Sequence, residues 1–276
     1  MEIQYLSDQQ QKIQLKTFTN WINHTLKKNG SSRRVTDILE EVKDGVILLE
    51  IIQILTKEKV VWTKGRPSST KRPLQINNVS TALDFLSTKG IRLVNINCSD
   101  IVDGKPAIVL GLIWKIILHL QVRIVHRKTL IGTTVDLDIN QIGIDRFLWN
   151  HDPSTLITSR NTVLDAKDFG RSWRNGVLFS KLINTIQPGL VDTDVMVKEN
   201  NQRNLQMAFN IAEEKLDIPR LLDPEDIDVD KPDEVSIITY VGEFIKKYPQ
   251  GVDGTLKVEL YRLILTFILY YTILLY

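Results

Sequence analysis

Three aspartates alternate with apolar residues near the end of the chain, in the stretch LLDPEDIDVDKPDEV. Asp226, Asp228 and Asp230 have the spacing that opens an EF-hand loop, where side chains at every second position converge on one Ca²⁺ ion. The sixth position of such a loop needs a glycine and the twelfth needs a glutamate. These positions hold Lys231 and Ile237. The pattern therefore predicts no calcium site.

Other patterns typical of catalysis or metal binding are also absent from the sequence. Cys98 is the only cysteine, and the four histidines lack the spacing of a zinc site. There is no Gly-rich phosphate loop and no Gly-x-Ser-x-Gly elbow, and the acidic pairs look like helix caps. We expect no catalytic residue, no metal and no cofactor, and we interpret the protein as non-enzymatic. The lone cysteine fits a reducing compartment, and the first residues show no secretory signal, so we expect the protein to face the cytosol.

Charge is distributed unevenly along the 276 residues, although the net charge is only +2. Residues 1–130 contain 20 Lys/Arg and 11 Asp/Glu, whereas residues 131–276 contain 15 and 22. The basic half is suited to an acidic surface, which leaves nucleic acid, anionic lipid and an acidic protein as alternatives. Nucleic acid is the weakest of these, because the basic residues are dispersed and no zinc or RNA-binding signature accompanies them.

Apolar residues recur at helical spacing, and no strand pair with a hairpin turn is apparent. One stripe passes through Val79, Leu83 and Leu86; it begins at Asn77 and ends at Gly90, a favourable residue for a helix end. Three further stripes have the same period: Ile108, Leu112, Ile116 and Leu120; Leu205, Phe209 and Ala212; and Ile237, Val241, Phe244 and Ile245. The sequence therefore predicts an all-α fold.

The two halves of the chain repeat each other. NVSTALDF, from Asn78, aligns with NLQMAFNI, from Asn204, at an offset of 126, and Asp44-Gly-Val aligns with Asn175-Gly-Val at an offset of 131. The difference falls in the Gly/Pro/Ser/Lys-rich loop 63–73. We therefore predict two homologous helical domains. Their limits, with the flanking segments, are an N-terminal flank at 1–11, domain 1 at 12–122, a basic linker at 123–140, domain 2 at 141–249 and an apolar tail at 250–276.

The repeat also indicates the role of the three alternating aspartates. Their counterpart in domain 1 is SDIVDGKP, in which Val102 and Gly104 stand where domain 2 has Asp228 and Asp230. A shared metal site would not tolerate that change. Both copies keep Lys-Pro before a long apolar helix, so we interpret the stretch as a helix-start segment with proline in the first turn and acidic residues favourable to the helix dipole.

Five segments carry a family resemblance. They are QLKTFTNWIN, VKDGVILLEII, INNVSTALDFLSTKGIRLVNINCSDIVDGKPAIVLGLIWKIILHLQ, DFGRSWRNGVLF and LLDPEDIDVDKPDEVSIITYV. Together they resemble a tandem pair of calponin-homology domains, as found in spectrin, plectin, dystonin and nesprin proteins, and are most similar to the nesprin group. The resemblance covers residues 12–249. It implies about four main helices per domain and binding of F-actin.

The resemblance also implies where the filament is contacted. The expected contact helices are Lys16–Leu26, Lys105–Leu120 and Asp145–His151. The third is expected to break near His151, because an insertion at 152–162 carries Asp152-Pro153. Lys16, Asn20 and Asn23 form one polar side of a helix, and Lys105 and Lys115 share an azimuth at 3.6 residues per turn. The candidate actin-binding residues are Lys16, Asn20, Asn23, Lys64, Arg66, Lys71, Arg72, Lys105, Lys115, His119 and Arg146.

We therefore expect an F-actin-binding module that links a larger cytoskeletal or nuclear-envelope assembly to filaments. This places the protein in the cytoplasm and cytoskeleton, with the cytoplasmic face of the nuclear envelope as a further site. The alternative is a regulatory scaffold, held closed by attraction between its basic and acidic halves, that binds signalling proteins or phosphoinositides.

The apolar tail leaves three interpretations open. Its last fourteen residues, from Leu263 to Tyr276, contain no charge. A spanning helix needs about 17–25 apolar residues. The tail is therefore an aberrant or alternatively spliced end, a segment docked on the body, or a marginal membrane anchor.

Overall fold

The computed structural model describes residues 2–62, 71–118, 164, 166–193, 196 and 200–248, with side chains from residue 8 onward. Every regular element in these ranges is a helix, which confirms the all-α prediction. The chain divides into two compact units, Met1–Arg123 and Ile124–Tyr276. Within the described ranges, no helix has the length and apolar character needed to cross a membrane. The predicted linker, the insertion at 152–162 and the apolar tail lie outside these ranges.

The first unit is built around a long N-terminal helix. Its helices are α1 (Glu2–Lys28), α2 (Ile38–Glu41), α3 (Val46–Thr56), α4 (Arg72–Thr88), α5 (Cys98–Val102) and α6 (Pro106–Ile116). Helix α1 packs against α3 and α6, and α4 packs against α3 and α5. Phe18, Trp21 and Ile22 of α1 are fully buried, because their spacing places them on one face of the helix. Burial of each such side chain contributes roughly 2 kcal/mol.

The second unit surrounds a central helix. Its elements are a 3-10 helix (Arg171–Trp173), α7 (Val177–Ile186), α8 (Asn201–Leu216), α9 (Pro224–Ile227) and α10 (Glu234–Lys247). All residues from Ser236 to Ile245 of α10 are buried, and a helix that is covered on all sides lies at the centre of its domain. The Tyr240 ring is 5.7 Å from that of Phe179 on α7 and 5.2 Å from that of Phe209 on α8, measured between centroids.

An asparagine–glycine contact occurs in both units at the repeated positions. Gly45 precedes α3 with φ 75°, and Asn78 of α4 donates from Nδ2 to the carbonyl oxygen of Asp44 over 3.0 Å. Gly176 precedes α7 with φ 77°, and Asn204 of α8 donates to the carbonyl of Asn175 over 3.2 Å. Only glycine fits, since a Cβ on Gly45 would lie 2.8 Å from the Cβ of Asn78. The same local geometry in both units confirms the repeat.

Two predicted helix starts differ from the structure. Helix α4 begins at Arg72 rather than Asn77, because proline is well tolerated in the first turn, where its missing N–H costs no hydrogen bond. Pro106 does open α6, but Pro232 lies before the N-cap of α10. That cap is Asp233, whose Oδ2 accepts a hydrogen bond from the backbone N–H of Ser236 over 2.8 Å. The prediction that the two prolines occupy equivalent helix positions is therefore wrong. Pro106 is the first residue of its helix, whereas Pro232 lies two positions earlier relative to its own helix.

The three alternating aspartates do not converge on one point: Asp226 caps a helix, whereas Asp228 and Asp230 share an arginine. The side chain of Asp226 accepts a hydrogen bond from the backbone N–H of Asp223 over 2.8 Å and completes a capping box for α9. Asp228 and Asp230 both bind Arg174, at 3.0 Å and 3.1 Å. No group of acidic, histidine or cysteine side chains suited to a metal occurs in the part of the chain that the structure describes. The stretch ties the start of α10 to the body of its domain.

Candidate functional site

The polar side of α1 contains three of the candidate residues. Lys16 and Asn20 are partly exposed on this helix. Asn23 has an internal role: its Nδ2 donates to the carbonyl oxygen of Val35 over 2.8 Å, and its Oδ1 accepts from the N–H of Val35 over 2.7 Å. Because both ends of its amide hold the segment after α1, we leave Asn23 out of the contact surface proposed below.

Lys105 stands at the start of α6 and is exposed. Its Nζ lies 2.5 Å from Oδ1 of Asp100 on α5, and 59% of its side chain is accessible to solvent. The hydrogen bond from Lys105 holds the pKa of Asp100 below its usual value. Lys105 itself has extended backbone, with φ −63° and ψ 114°. The helical azimuth assumed for it at 3.6 residues per turn therefore does not apply, since the helix begins one residue later.

Lys115 occupies a different environment near the end of α6. Its side chain is half-buried, and this burial lowers the pKa of its ammonium group. Among the described residues, no ion pair joins it to a carboxylate. The adjacent Ile116 and nearby Ile113 are buried, and a half-buried lysine typically packs its stem on apolar surface and keeps its charged end in water.

A second ion pair links two helices of the first unit. Arg72, the first residue of α4, donates from Nη1 to Oδ1 of Asp103, just after α5, over 2.5 Å. The pKa of Asp103 is lowered by this hydrogen bond and further by the positive charge of Lys105. Arg72, Asp100, Asp103 and Lys105 therefore interact as one group, which we call the α4–α6 charge cluster. Lys71, the N-cap of α4, is exposed beside it.

The carboxylates of this cluster were missed by the sequence interpretation. Asp100 and Asp103 lie in the helix-start segment SDIVDGKP, where acidic residues are ordinarily assigned to helix capping. The sequence gives one signal for the shorter pair, because Asp100 and Lys105 are five residues apart. Arg72 and Asp103 are 31 residues apart, and only the packing of α4 on α5 brings them together.

Four candidate residues lie outside the described ranges. They are Lys64, Arg66, His119 and Arg146. Those that the structure does describe form two groups on the first unit, the polar side of α1 and the α4–α6 charge cluster with Lys71, in addition to Lys115. Most of these side chains are charged and at least partly exposed, so the arrangement is suited to binding a large charged partner.

Comparison with known proteins identifies relatives of both units. The sequence profile of the calponin homology (CH) domain matches residues 12–122 and 154–250. Muscle-specific protein 300 kDa of Drosophila melanogaster is 40% identical over 261 residues, which is 88% of this chain and 2% of that protein. Nesprin-2 of Mus musculus is 35% identical over 279 residues, 90% of this chain and 4% of that protein. The chain therefore spans only a small part of the relatives it matches.

A solved structure has the same fold. The actin-crosslinking core of Schizosaccharomyces pombe fimbrin superposes with a TM-score of 0.62 and 22% sequence identity, over 86% of this chain and 48% of that chain. At this level of identity the likeness concerns the fold.

Proposed function

Because the chain belongs to the calponin-homology domain family, with two such domains in tandem, we propose that it is an F-actin-binding module without catalytic activity. The observation that carries the proposal is the match of the family profile to both units, together with similarity to nesprin-2 and to the fold of an actin-crosslinking core. The module would link a larger cytoskeletal or nuclear-envelope assembly to filaments, in the cytoplasm and at the cytoplasmic face of the nuclear envelope.

The charge of the first domain supports this choice of partner. Its half of the chain has an excess of nine positive charges over residues 1–130, and the filament that we propose as partner is acidic. Complementary charge raises the rate of encounter and fixes the orientation of docking more than it raises affinity. Such binding weakens as salt rises, because exposed charges are screened over about 10 Å at moderate ionic strength.

The contact surface that we propose lies on the first domain. It comprises Lys16 and Asn20 of α1, Lys71, Arg72 and Lys105 around the α4–α6 charge cluster, and Lys115 of α6. On the sequence alone, Lys64, Arg66 and His119 extend this surface, and Arg146 adds a contact from the second domain. Lys105 is central because most of its side chain remains accessible to solvent while it is paired with Asp100.

Cosedimentation of the full chain with F-actin over a salt series tests the function. Pelleting that saturates at low salt and declines as salt rises is the expected result. If the chain remains in the supernatant at low salt, the module does not bind filaments. The regulatory scaffold, which binds signalling proteins or phosphoinositides through a closed pair of domains, then becomes the better account.

Flotation with vesicles tests the remaining proposal that the apolar tail at 250–276 acts as a membrane anchor.

A further inference from the structure

Three helices of the first domain end close together. Helix α1 ends at Lys28, α3 at Thr56 and α4 at Thr88. Lys57 Nζ, just after α3, donates to the side-chain oxygen of Asn29, just after α1, over 3.2 Å. Lys89, just after α4, binds the carboxylate of Glu58 at 2.5 Å. These two contacts bring the three helix ends into one surface at this end of the domain.

This surface is strongly basic. The segments at the three helix ends, residues 27–32, 56–62 and 88–94, contain six cationic side chains and one carboxylate, that of Glu58; the cations are Lys27, Lys28, Lys57, Lys59, Lys89 and Arg92. We call these residues the basic pole. The helix dipole favours lysines near helix C-termini. One or two positive charges at each helix end are enough for that effect. Lys27, Lys28, Lys59 and Arg92 are exposed and form no ion pair with other described residues, so their charge is directed at solvent.

Exposed apolar residues accompany the positive charge. Within the described chain, two large hydrophobic side chains are classed as exposed: Val61, with 83% of its surface accessible, and Val94, with 48%. Val61 follows Lys59 by two residues, and Val94 follows Arg92 by two. A solvated face that serves only solubility has no need of exposed apolar side chains beside its charges. Positive charge with protruding apolar groups is typical of surfaces that lie against the headgroups of an anionic bilayer.

We propose that the basic pole of the first domain docks on an anionic membrane surface, with Val61 and Val94 entering the interfacial region. The pole is separate from the proposed actin contact around Arg72, because Arg72 and Lys89 lie at opposite ends of the 17-residue helix α4, a length of about 25 Å. One domain would thereby contact a filament at one end and a membrane at the other. This inference is independent of filament binding and can fail or succeed by itself.

Vesicle cosedimentation of the full chain tests the proposal. Vesicles of phosphatidylcholine mixed with phosphatidylserine are compared with vesicles of phosphatidylcholine alone. The double variant Lys28→Gln/Lys59→Gln is expected to lose affinity for the anionic vesicles by about fivefold for each charge removed. Val61→Ser is expected to weaken binding further in the same vesicles. The matched control is Lys12→Gln, an exposed lysine on the same helix as Lys28 and about 24 Å away along its axis.

Each outcome of the experiment decides between accounts. The proposal holds if wild type and Lys12→Gln bind the anionic vesicles equally while the double variant binds weakly, with F-actin pelleting unchanged in all three. Equal binding by the control and the double variant would overturn it. Equal binding of wild type to both kinds of vesicle would assign membrane contact to the apolar tail instead. If the double variant loses F-actin binding but still binds the vesicles, the basic pole is a protein-binding surface.

Discussion

The ammonium group of Lys105 lies 2.5 Å from the Oδ1 atom of Asp100 at the start of α6, where the lysine is exposed and the aspartate is partly covered. The pair competes with filament binding by Lys105, the residue that we place at the centre of the proposed filament contact. A lysine held by its own domain has to exchange that carboxylate for one on the partner. Since most of the lysine side chain is exposed to solvent, the pair contributes little to folding stability, and its effect falls on binding.

Opposite effects are therefore expected from substitutions at the two partners. Asp100→Asn releases Lys105 and removes a negative charge that repels an acidic filament, so F-actin affinity should rise by about fivefold. Lys105→Glu should lower the affinity by at least as much. Both are measured by cosedimentation at one salt concentration, with helicity checked by circular dichroism. A shared loss of affinity in both variants would show that the region acts only through folding.

Gly45 and Gly30 provide a matched test of the asparagine–glycine contact. Both have positive φ, but a Cβ on Gly45 would collide with Asn78, whereas a Cβ on Gly30 meets nothing within 4 Å. Gly30→Ala should cost about 1 kcal/mol of strain, and Gly45→Ala should cost about 3 kcal/mol because overpacking is added. Hydrogen exchange of the α4 amides measures the difference. Equal protection in the two variants would contradict the close approach.

The carboxyl group of Glu234 makes the second domain sensitive to pH. Its burial raises its pKa, and the nearby charges of Asp168 and Asp233 raise it further. A carboxyl with a higher pKa in the folded state contributes stability that is complete at low pH and is lost as pH rises through the raised value. Glu234→Gln should therefore gain stability relative to wild type as the pH rises from about 4 towards 7.

Urea unfolding, followed by exchange of the α10 amides, measures this trend. Glu225→Gln is the control, because Glu225 is an exposed glutamate in the first turn of α9. This variant removes the same charge from an exposed position of the same domain. A parallel profile for wild type and Glu234→Gln would show that the Glu234 carboxyl is as easily ionised in the folded domain as in the unfolded chain.

The helices and their repeat were predictable from the sequence, whereas the ionic contacts were not. The stripes ending at Gly90 and passing through Phe209 and Val241 define α4, α8 and α10 because periodic apolar positions report burial directly. The start of α4 was missed, since Arg72 and Pro73 carry no apolar period. The pairing of Arg72 with Asp103 depends on how two helices pack, which local spacing does not encode.

The candidate surface shows the same division. The residue types directed attention to α1 and to the start of α6, and they gave no indication that Asn23 is engaged with Val35 or that Lys115 is half-buried. Lys115 therefore needs a substitution that keeps its packing. Lys115→Met retains the apolar stem, so it should weaken F-actin pelleting without loss of stability. Lys115→Glu should also lower stability, because it places a charge against Ile116. Thermal unfolding separates the two effects, and an equally unstable Lys115→Met would place the ammonium group in the fold rather than the contact.

The central claim, that this tandem pair binds filaments through its first domain, is tested most directly by low-salt cosedimentation of the full chain with F-actin, using Lys105→Glu and Lys12→Glu side by side. Both variants reverse one exposed lysine of the same domain, so their net charge is identical. The account predicts saturable pelleting of wild type and Lys12→Glu and a clear loss for Lys105→Glu. Absence of pelleting by wild type, or equal pelleting by both variants, would contradict it.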